Sequence, residues 1–361
     1  MGSGEYLFLP TERVIFGPGS LARLAEEVDR LGGQRVFLIT GRSLAEKTDF
    51  VGRIRSQLGP RLAGTFSAIR QHTPKGDVAR AADQVQAAAA DLLISLGGGS
   101  PIDGTKAVAR AVAETTGRLP PHLAIPTTLS AAEFSHLVGV TDEARRAKTG
   151  FADVRLAPRA VILDAELCLA TPMDLWLASG IRALDHAVET LYAPGEHPVP
   201  DVLALEAIER LFRFLPASKV DPGNLVARGE LQLAAWMSFF GEVNIPLGMS
   251  HILGRRLGAT YNVPHGVTSC ITLPWVMEAM AERRPGPLAS MGRRLGEAAV
   301  AEETAARAAA DSVRDLIRRL ELPSRLSQVG VPQADLPAIA EAAYPEGEER
   351  ELALRLLRRM W

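Results

Sequence analysis

The first 165 residues alternate short apolar runs with stretches of helical periodicity, and beyond them the alternation stops. The apolar runs fall at 14–16, 35–40, 64–69, 91–96, 123–126 and 160–164. Several are nearly continuous Val, Ile, Leu and Phe, the pattern of strands covered on both faces. Between them, 21–31, 49–58, 78–90 and 105–113 carry apolar residues at helical spacing. Such alternation predicts a parallel sheet with helices on both faces. Sheets of this kind bind ligands beyond the carboxyl ends of their strands. After about Leu167 strand signals vanish. Helical patterns rich in Ala, Leu, Arg and Glu follow at 202–214, 225–240, 300–320 and 348–360, broken by Pro194-Gly195 and Pro222-Gly223. A chain of 361 residues is long enough for two domains. The expected architecture is an α/β domain with a parallel sheet over 1–166 and an all-helical domain over 167–361.

Composition narrows the class of protein. Apolar residues make up 47% and charged residues 23%, which fits a globular chain and not a disordered one. Lys plus Arg number 40 against 42 Asp plus Glu, a net charge of −2 that argues against nucleic acid or a membrane surface as partner. No stretch approaches the roughly 18 unbroken apolar residues of a membrane span. The N-terminus, Met1-Gly2-Ser3-Gly4-Glu5, has no basic segment followed by an apolar one, so no signal peptide is expected. Cys168 and Cys270 are too few for a disulfide framework or a Cys-rich zinc site, and a cytoplasmic location is expected.

The strongest local motif is Leu92-Leu93-Ile94-Ser95-Leu96-Gly97-Gly98-Gly99-Ser100, followed by Pro101-Ile102-Asp103-Gly104-Thr105-Lys106. A buried strand runs into three glycines, and Ser100 is expected to cap a helix. Glycines let a backbone approach a phosphate closely, and a helix N-terminus offers free N–H groups and the positive dipole end. Three consecutive glycines exceed what a tight turn needs, so the motif reads as a phosphate cradle. The Gly-Lys-Ser/Thr ending of a Walker loop is absent. By contrast, Gly17-Pro18-Gly19-Ser20-Leu21-Ala22 matches G-x-G-x-x-A alone, with no acidic residue closing a strand about 20 residues on. It reads as a structural turn. In Ala124-Ile125-Pro126-Thr127-Thr128-Leu129, the two hydroxyls either bond a cofactor or cap a helix through a Ser/Thr turn.

The second half holds a different cluster. Arg182, His186 and Glu189 share one face of a helix by i, i+4 and i+7 spacing. His251 and His265 lie in segments marked by Gly and Pro. Each histidine alone reads most simply as structural; together they suggest an active site or a metal site.

With these motifs assembled, the chain resembles the iron-containing alcohol dehydrogenase superfamily, and within it the maleylacetate-reductase-like branch. The matching stretches are Phe16-Gly17-Pro18-Gly19, 97–100 with Asp103 and Lys106, Pro126-Thr127-Thr128 with Glu133, Leu163-Asp164, 180–189 and 250–266. The resemblance implies a dinucleotide-binding α/β domain, an all-helical domain and an active site in the cleft between them. It implies hydride transfer between NAD or NADP and a carbonyl or alcohol carbon, and a homodimer. It assigns Gly97, Gly98, Gly99 and Ser100 to the pyrophosphate, and Asp103, Thr127, Thr128, Leu129 and Lys148 to the rest of the cofactor.

Two departures shape the chemistry. Metal-dependent members hold Fe or Zn with three histidines, matched here by His186, His251 and His265, and one Asp four residues before the first. That position is Arg182, and a guanidinium repels a divalent cation. Asp185 points about 100° away from His186 around the helix and is a poor substitute. The family's further catalytic His, four residues after His251, is replaced by Arg255. The expectation is therefore a metal-independent NAD(P)H-dependent reductase of a small, carboxylated, anionic carbonyl compound, with Arg182, His186, His251, Arg255 and His265 as catalytic candidates. The alternatives are a metal-dependent alcohol dehydrogenase using the three histidines with a water or Asp185, a non-redox lyase or cyclase on the same fold, and a silent binding subunit. Gly41 stands where NAD-using relatives often carry Asp, and Arg42 and Ser43 are placed to meet a 2′-phosphate, which points to NADPH.

Overall fold

The computed structural model describes residues 5–143, 147–296 and 301–361. The chain separates into two compact units, Leu7–Pro172 and Met173–Trp361, the latter including Glu5 and Tyr6.

The Leu7–Pro172 unit contains strands β1 (Arg13–Phe16), β2 (Val36–Thr40), β3 (Leu62–Phe66), β4 (Leu92–Gly97), β5 (His122–Pro126), β6 (Leu137–Asp142), β7 (Ala147–Ala152) and β8 (Ala160–Leu163). Its helices are α1 (Leu24–Arg30), α2 (Arg42–Lys47), α3 (Phe50–Leu58), α4 (Lys75–Ala87) and α5 (Gly99–Thr116). Six strands form one sheet in the order β1-β8-β5-β4-β2-β3, every pair parallel. Alternate side chains along β2 enter opposite layers. Val36 and Leu38 join Leu24, Val28 and Ile54 on one face, while Phe37 and Ile39 join Val78, Val85 and Val108 on the other. Both faces are covered, which is why the central strands are apolar throughout. Truncating Ile94 or Leu93 to Ala is expected to cost about 2–5 kcal/mol.

Three features differ from the sequence expectation. The antiparallel hairpin β6–β7 was not foreseen; Gly139 faces Gly150 across it, and glycine is a poor strand former. The third strand is Leu62–Phe66 instead of 64–69, because Ile69 has already left the ladder to donate to the Thr40 carbonyl at 3.3 Å. The helix after the glycines begins at Gly99, well before 105, with Gly98 as its N-cap; Ser100 lies inside the helix and does not cap it.

The Met173–Trp361 unit is built of α6 (Met173–Tyr192), α7 (Pro198–Val220), α8 (Leu225–Ser238), α9 (Met249–Tyr261), α10 (His265–Arg283), α11 (Pro285–Arg294), α12 (Glu302–Arg319), α13 (Leu336–Ala343) and α14 (Glu348–Met360). From Trp176 to Tyr192 nearly every residue of α6 is buried, because α7, α8 and α10 pack around it. A helix covered on all sides brings its polar residues inside with it, and those must find partners there. Among the described residues, no helix is long and apolar enough to cross a membrane.

Candidate active site

Sheet register gathers the cofactor candidates of the Leu7–Pro172 unit along one edge. Thr40 pairs with Leu96 and Gly97 with Pro126, so Gly41, Gly98 and Thr127 follow the carboxyl ends of three adjacent strands. The strand order reverses between β2 and β4, the switch point where α/β sheets bind ligands.

The glycines, however, are explained by the protein's own packing. Gly97 has φ +139°, and a Cβ there would lie 2.9 Å from Pro101 Cγ. A Cβ on Gly98 would lie 2.9 Å from Thr128 Cγ2 and 3.1 Å from its Oγ1. The number of glycines is thus no measure of a ligand. What remains for an anion is the N-terminus of the 18-residue α5, which has no side-chain cap. Ser100 Oγ accepts from the His72 N–H at 3.1 Å, and Thr73 Oγ1 donates to the Ser100 carbonyl at 3.2 Å. His72 and Thr73 both have positive φ, 61° and 52°, a strained pair set against the loop that sequence reasoning missed.

Other candidates are structural braces. Asp103 Oδ1 accepts from Lys106 Nζ at 3.3 Å and its Oδ2 from the Gly139 N–H at 3.4 Å. Fully buried Lys106 also donates to the carbonyls of Ala132 at 2.7 Å and Leu137 at 3.1 Å, tying α5 to the hairpin. Thr127 uses its carbonyl on Thr171 Oγ1 at 2.7 Å, Thr128 Oγ1 donates to Ser130 Oγ at 3.3 Å, and Leu129 is buried. Arg42 and Ser43 are exposed on α2, with Gly41 as its N-cap. The side chain of Lys148 lies outside the described residues. At the Gly17 turn, Asp164 accepts from the N–H groups of Gly19 and Leu21 at 3.0 and 2.9 Å, which makes that turn structural.

In the helical unit, α6 and α9 bring ionisable groups together. Glu189 caps α9 from outside. Its Oε1 accepts from the Ser250 N–H at 2.8 Å and its Oε2 from the Gly248 N–H at 2.7 Å. A Cβ on Gly248 would lie 2.6 Å from Glu189 Cδ, so only glycine fits there. Glu189 Oε2 also lies 2.6 Å from His251 Nδ1. The approach is a close charge contact without hydrogen-bond geometry, and both ring nitrogens of His251 are buried without a hydrogen-bond partner. Burial pushes Glu189 up to about 7 against the pull of its N–H donors, and burial with the Arg182 charge pushes His251 down to about 3. Both directions favour a protonated Glu189 and a neutral His251.

His186 stacks on Phe239 at 3.8 Å between ring centroids and on His251 at 4.8 Å. Burial holds it neutral, well below the ordinary histidine range. The two histidines line a pocket with Phe239, Ile245 and Leu247. His265 opens α10, its ring 3.1 Å from where a Gly258 Cβ would lie.

The two arginines separate. Arg182 turns inward, donating to Ser269 Oγ at 3.2 Å and facing Asp185 Oδ2 at 3.5 Å. Arg255 is exposed on α9, one turn beyond His251. Asp185 corrects the sequence reading, because α6 is buried all round and Asp185 reaches the cluster after all. Its Oδ2 accepts from Ser269 Oγ at 2.6 Å and Ser250 Oγ at 3.0 Å, and lies 3.6 Å from His251 Nδ1.

Known proteins share these two units. The family model for the iron-containing alcohol dehydrogenase matches residues 10–165, and that for the C-terminal part of the Fe-containing alcohol dehydrogenase family matches residues 176–353. The chain belongs to the iron-containing alcohol dehydrogenase family. It is 33% identical to the maleylacetate reductase of Rhizobium sp. strain MTP-10005 over 333 residues, 92% of this chain and 88% of that one. The crystal structure of maleylacetate reductase from Agrobacterium tumefaciens superimposes with a TM-score of 0.86 at 30% identity, covering 100% of this chain and 99% of that one. A 1,3-propanediol oxidoreductase structure gives a TM-score of 0.90 at 26% identity, covering 99% of this chain and 100% of that one. Within the family the chain falls in the maleylacetate-reductase-like branch, and it is an NAD(P)-dependent oxidoreductase acting on carbonyl or alcohol groups.

The family name raises the question of iron. Among the described residues, the one group of three potential ligands with atoms within 4.8 Å of one another is Asp185, Glu189 and His251. His186, His251 and His265 do not form such a group. The three that converge are unevenly committed to other partners. Asp185 Oδ2 already takes two hydroxyl donors beside a permanent guanidinium, and both Glu189 oxygens take backbone N–H groups. The Arg182 guanidinium 3.5 Å from Asp185 Oδ2 opposes a divalent cation, while Asp185 Oδ1 and both ring nitrogens of His251 are buried without a hydrogen-bond partner.

Proposed function

We propose that this enzyme is a metal-independent reductase that prefers NADPH and acts on a small carbonyl compound carrying a carboxylate. The observation that carries the reading is Arg255. Its guanidinium is exposed, makes no hydrogen bond or ion pair among the described residues, and stands four residues from His251 on the same helix face. Arg182 is already committed to Asp185 and Ser269, so Arg255 is the cation left for a substrate anion. A planar guanidinium binds a carboxylate bidentately and orients it.

Bound NADPH would supply the hydride, held by the α5 N-terminus with Gly41, Arg42 and Ser43 near its ribose. The side chains of the helical unit handle the proton. Neutral His186 and His251 offer N–H donors to the carbonyl oxygen as negative charge develops on it. His251 Nε2 then gives its proton to the alkoxide, and the Glu189 proton moves across the 2.6 Å contact to Nδ1. Glu189 ends ionised, stabilised by the backbone N–H groups it caps.

Maleylacetate is the first substrate to test, since the relatives are named for it. A panel of keto acids and matched uncharged aldehydes, with NADPH and NADH, is followed by loss of reduced-cofactor absorbance in chelator, then with Zn or Fe added. Keto acids should turn over in chelator. Activity that chelator abolishes and stoichiometric metal restores would overturn the metal-free reading, and faster turnover of the aldehydes would overturn the anionic one.

A further inference from the structure

A second cavity opens in the helical unit, away from the His186 and His251 pocket in lining and in chemistry. It measures about 120 Å³ and lies among α10, α12 and the segment that follows α12. Its walls are apolar: Pro274, the ring of Trp275, Ile317 and the Cys270 side chain. A cavity of this order of size admits a small planar body against its apolar wall.

Its polar groups converge from the other side. Ser324 and Arg325 line it, and no acidic side chain does. Gln328 Oε1 accepts from the N–H groups of both residues, at 2.8 and 3.0 Å, which fixes that backbone. The Ser324 hydroxyl and the Arg325 guanidinium have no partner of their own among the described residues. Arg314, the other cation in the lining, is already neutralised by Asp311 and Glu278. It lies over the Trp275 ring at 5.2 Å, and Arg359 lies over that ring at 4.6 Å, so the indole is held in place. Pro274 sits inside α10 and withholds an N–H from the Cys270 carbonyl one turn back, leaving a backbone acceptor on the cavity's helix.

A rigid aromatic wall, an apolar interior and a single uncompensated guanidinium define a complementary ligand. We infer that this cavity binds a small carboxylate with a flat apolar body, its ring against Trp275 and its carboxylate on Arg325 and Ser324. The inference is independent of the reading proposed for the catalytic residues, because it shares none of them.

Benzoate is the probe. It is titrated into the full-length enzyme, with ligand-observed NMR and tryptophan fluorescence as readouts, in the presence of saturating NADP. Saturable binding with a Kd on the order of 1 mM is expected. Arg325→Glu, a change at an exposed side chain, should weaken it about tenfold or more with an unchanged melting temperature, and Ile317→Trp, which fills the cavity, should remove it. Arg255→Leu should leave it unaltered. Absence of saturation up to about 20 mM, a Kd indifferent to Arg325→Glu, or loss of binding in Arg255→Leu would each overturn the proposal.

Discussion

Glu189 Oε2 lies 2.6 Å from His251 Nδ1 while the same carboxyl group accepts the N–H groups of Gly248 and Ser250 at the head of α9. One side chain thus caps the start of a helix and meets the imidazole in its first turn. The helix has no capping Ser, Thr, Asp or Asn of its own, so the acceptor must come from α6.

That pairing sets a pH dependence. Burial raises Glu189 to about 7, so it is protonated below that pH and ionised above it. On the proposed proton relay, reduction draws on the protonated form. The kcat for carbonyl reduction should be level below about pH 7 and fall about tenfold per unit above it. Glu189→Gln keeps an N–H toward Nδ1 but has no proton to give. The expected result is a kcat lower by about 10- to 100-fold and a profile without the break. A variant that keeps the wild-type break would show that Glu189 is not the proton source. The same raised pKa makes wild-type stability greatest below the unfolded carboxyl value, and part of it is lost as pH rises toward 7. Melting temperatures across that range should slope less in the Gln variant.

The two arginines should fail in different ways. Arg182 is buried against Asp185, so Arg182→Leu strands a buried carboxylate and should cost about 3–5 kcal/mol of stability. Arg255 is exposed and unpaired among the described residues, so Arg255→Leu should leave the melting temperature within about a degree or two. Its expected effect is on KM for a keto acid, raised about tenfold or more, with little change for the uncharged aldehyde. Equal KM effects on both substrates would remove Arg255 from the substrate site.

The Gly98 contact can be tested by relief. Gly98→Ala places a Cβ 2.9 Å from Thr128 Cγ2, and overpacking of this kind costs about 1–3 kcal/mol. Adding Thr128→Ser removes that methyl and keeps the hydroxyl. The double variant should recover most of the lost stability in chemical denaturation. No recovery would mean that the glycine is needed for something other than Thr128.

The α/β architecture was legible because buried parallel strands such as β4 are continuous apolar runs, and their alternation with helices leaves few topologies. The hairpin was not, because Gly139 and Gly150 break the strand signal where the two strands face each other. At the site, helical spacing brought Arg182, His186 and Glu189 into view together, but it could not show which neighbour each would choose. On helix angle alone Asp185 is a poor substitute at the cluster. That argument holds for a helix with one solvent face, and α6 has none. The stacking of His186 on Phe239 depends on a long-range contact across 53 positions that no local pattern records.

The proposed preference for NADPH can be tested at Gly41. Thr40 ends β2 beside Leu96, so Gly41 stands at the same edge as the glycine loop, where an acidic side chain in NAD enzymes holds the ribose hydroxyl. Gly41 has φ −91°, which any residue adopts, and the nearest atom to a Cβ there is the Ile69 carbonyl oxygen at 3.4 Å. Aspartate is therefore tolerated by the fold. Its carboxylate would accept from a 2′-hydroxyl and repel a 2′-phosphate. Arg42 is held only by an exposed contact to Glu46 at 3.8 Å, worth little, and is free to meet that phosphate in the wild type. Gly41→Asp should lower the ratio of kcat/KM for NADPH over NADH by about 100-fold, and Arg42→Ala by about tenfold, through KM for NADPH. Stability should not change in either. A wild-type preference for NADH, or a ratio that Gly41→Asp leaves untouched, would show that the 2′-position is read elsewhere in the unit.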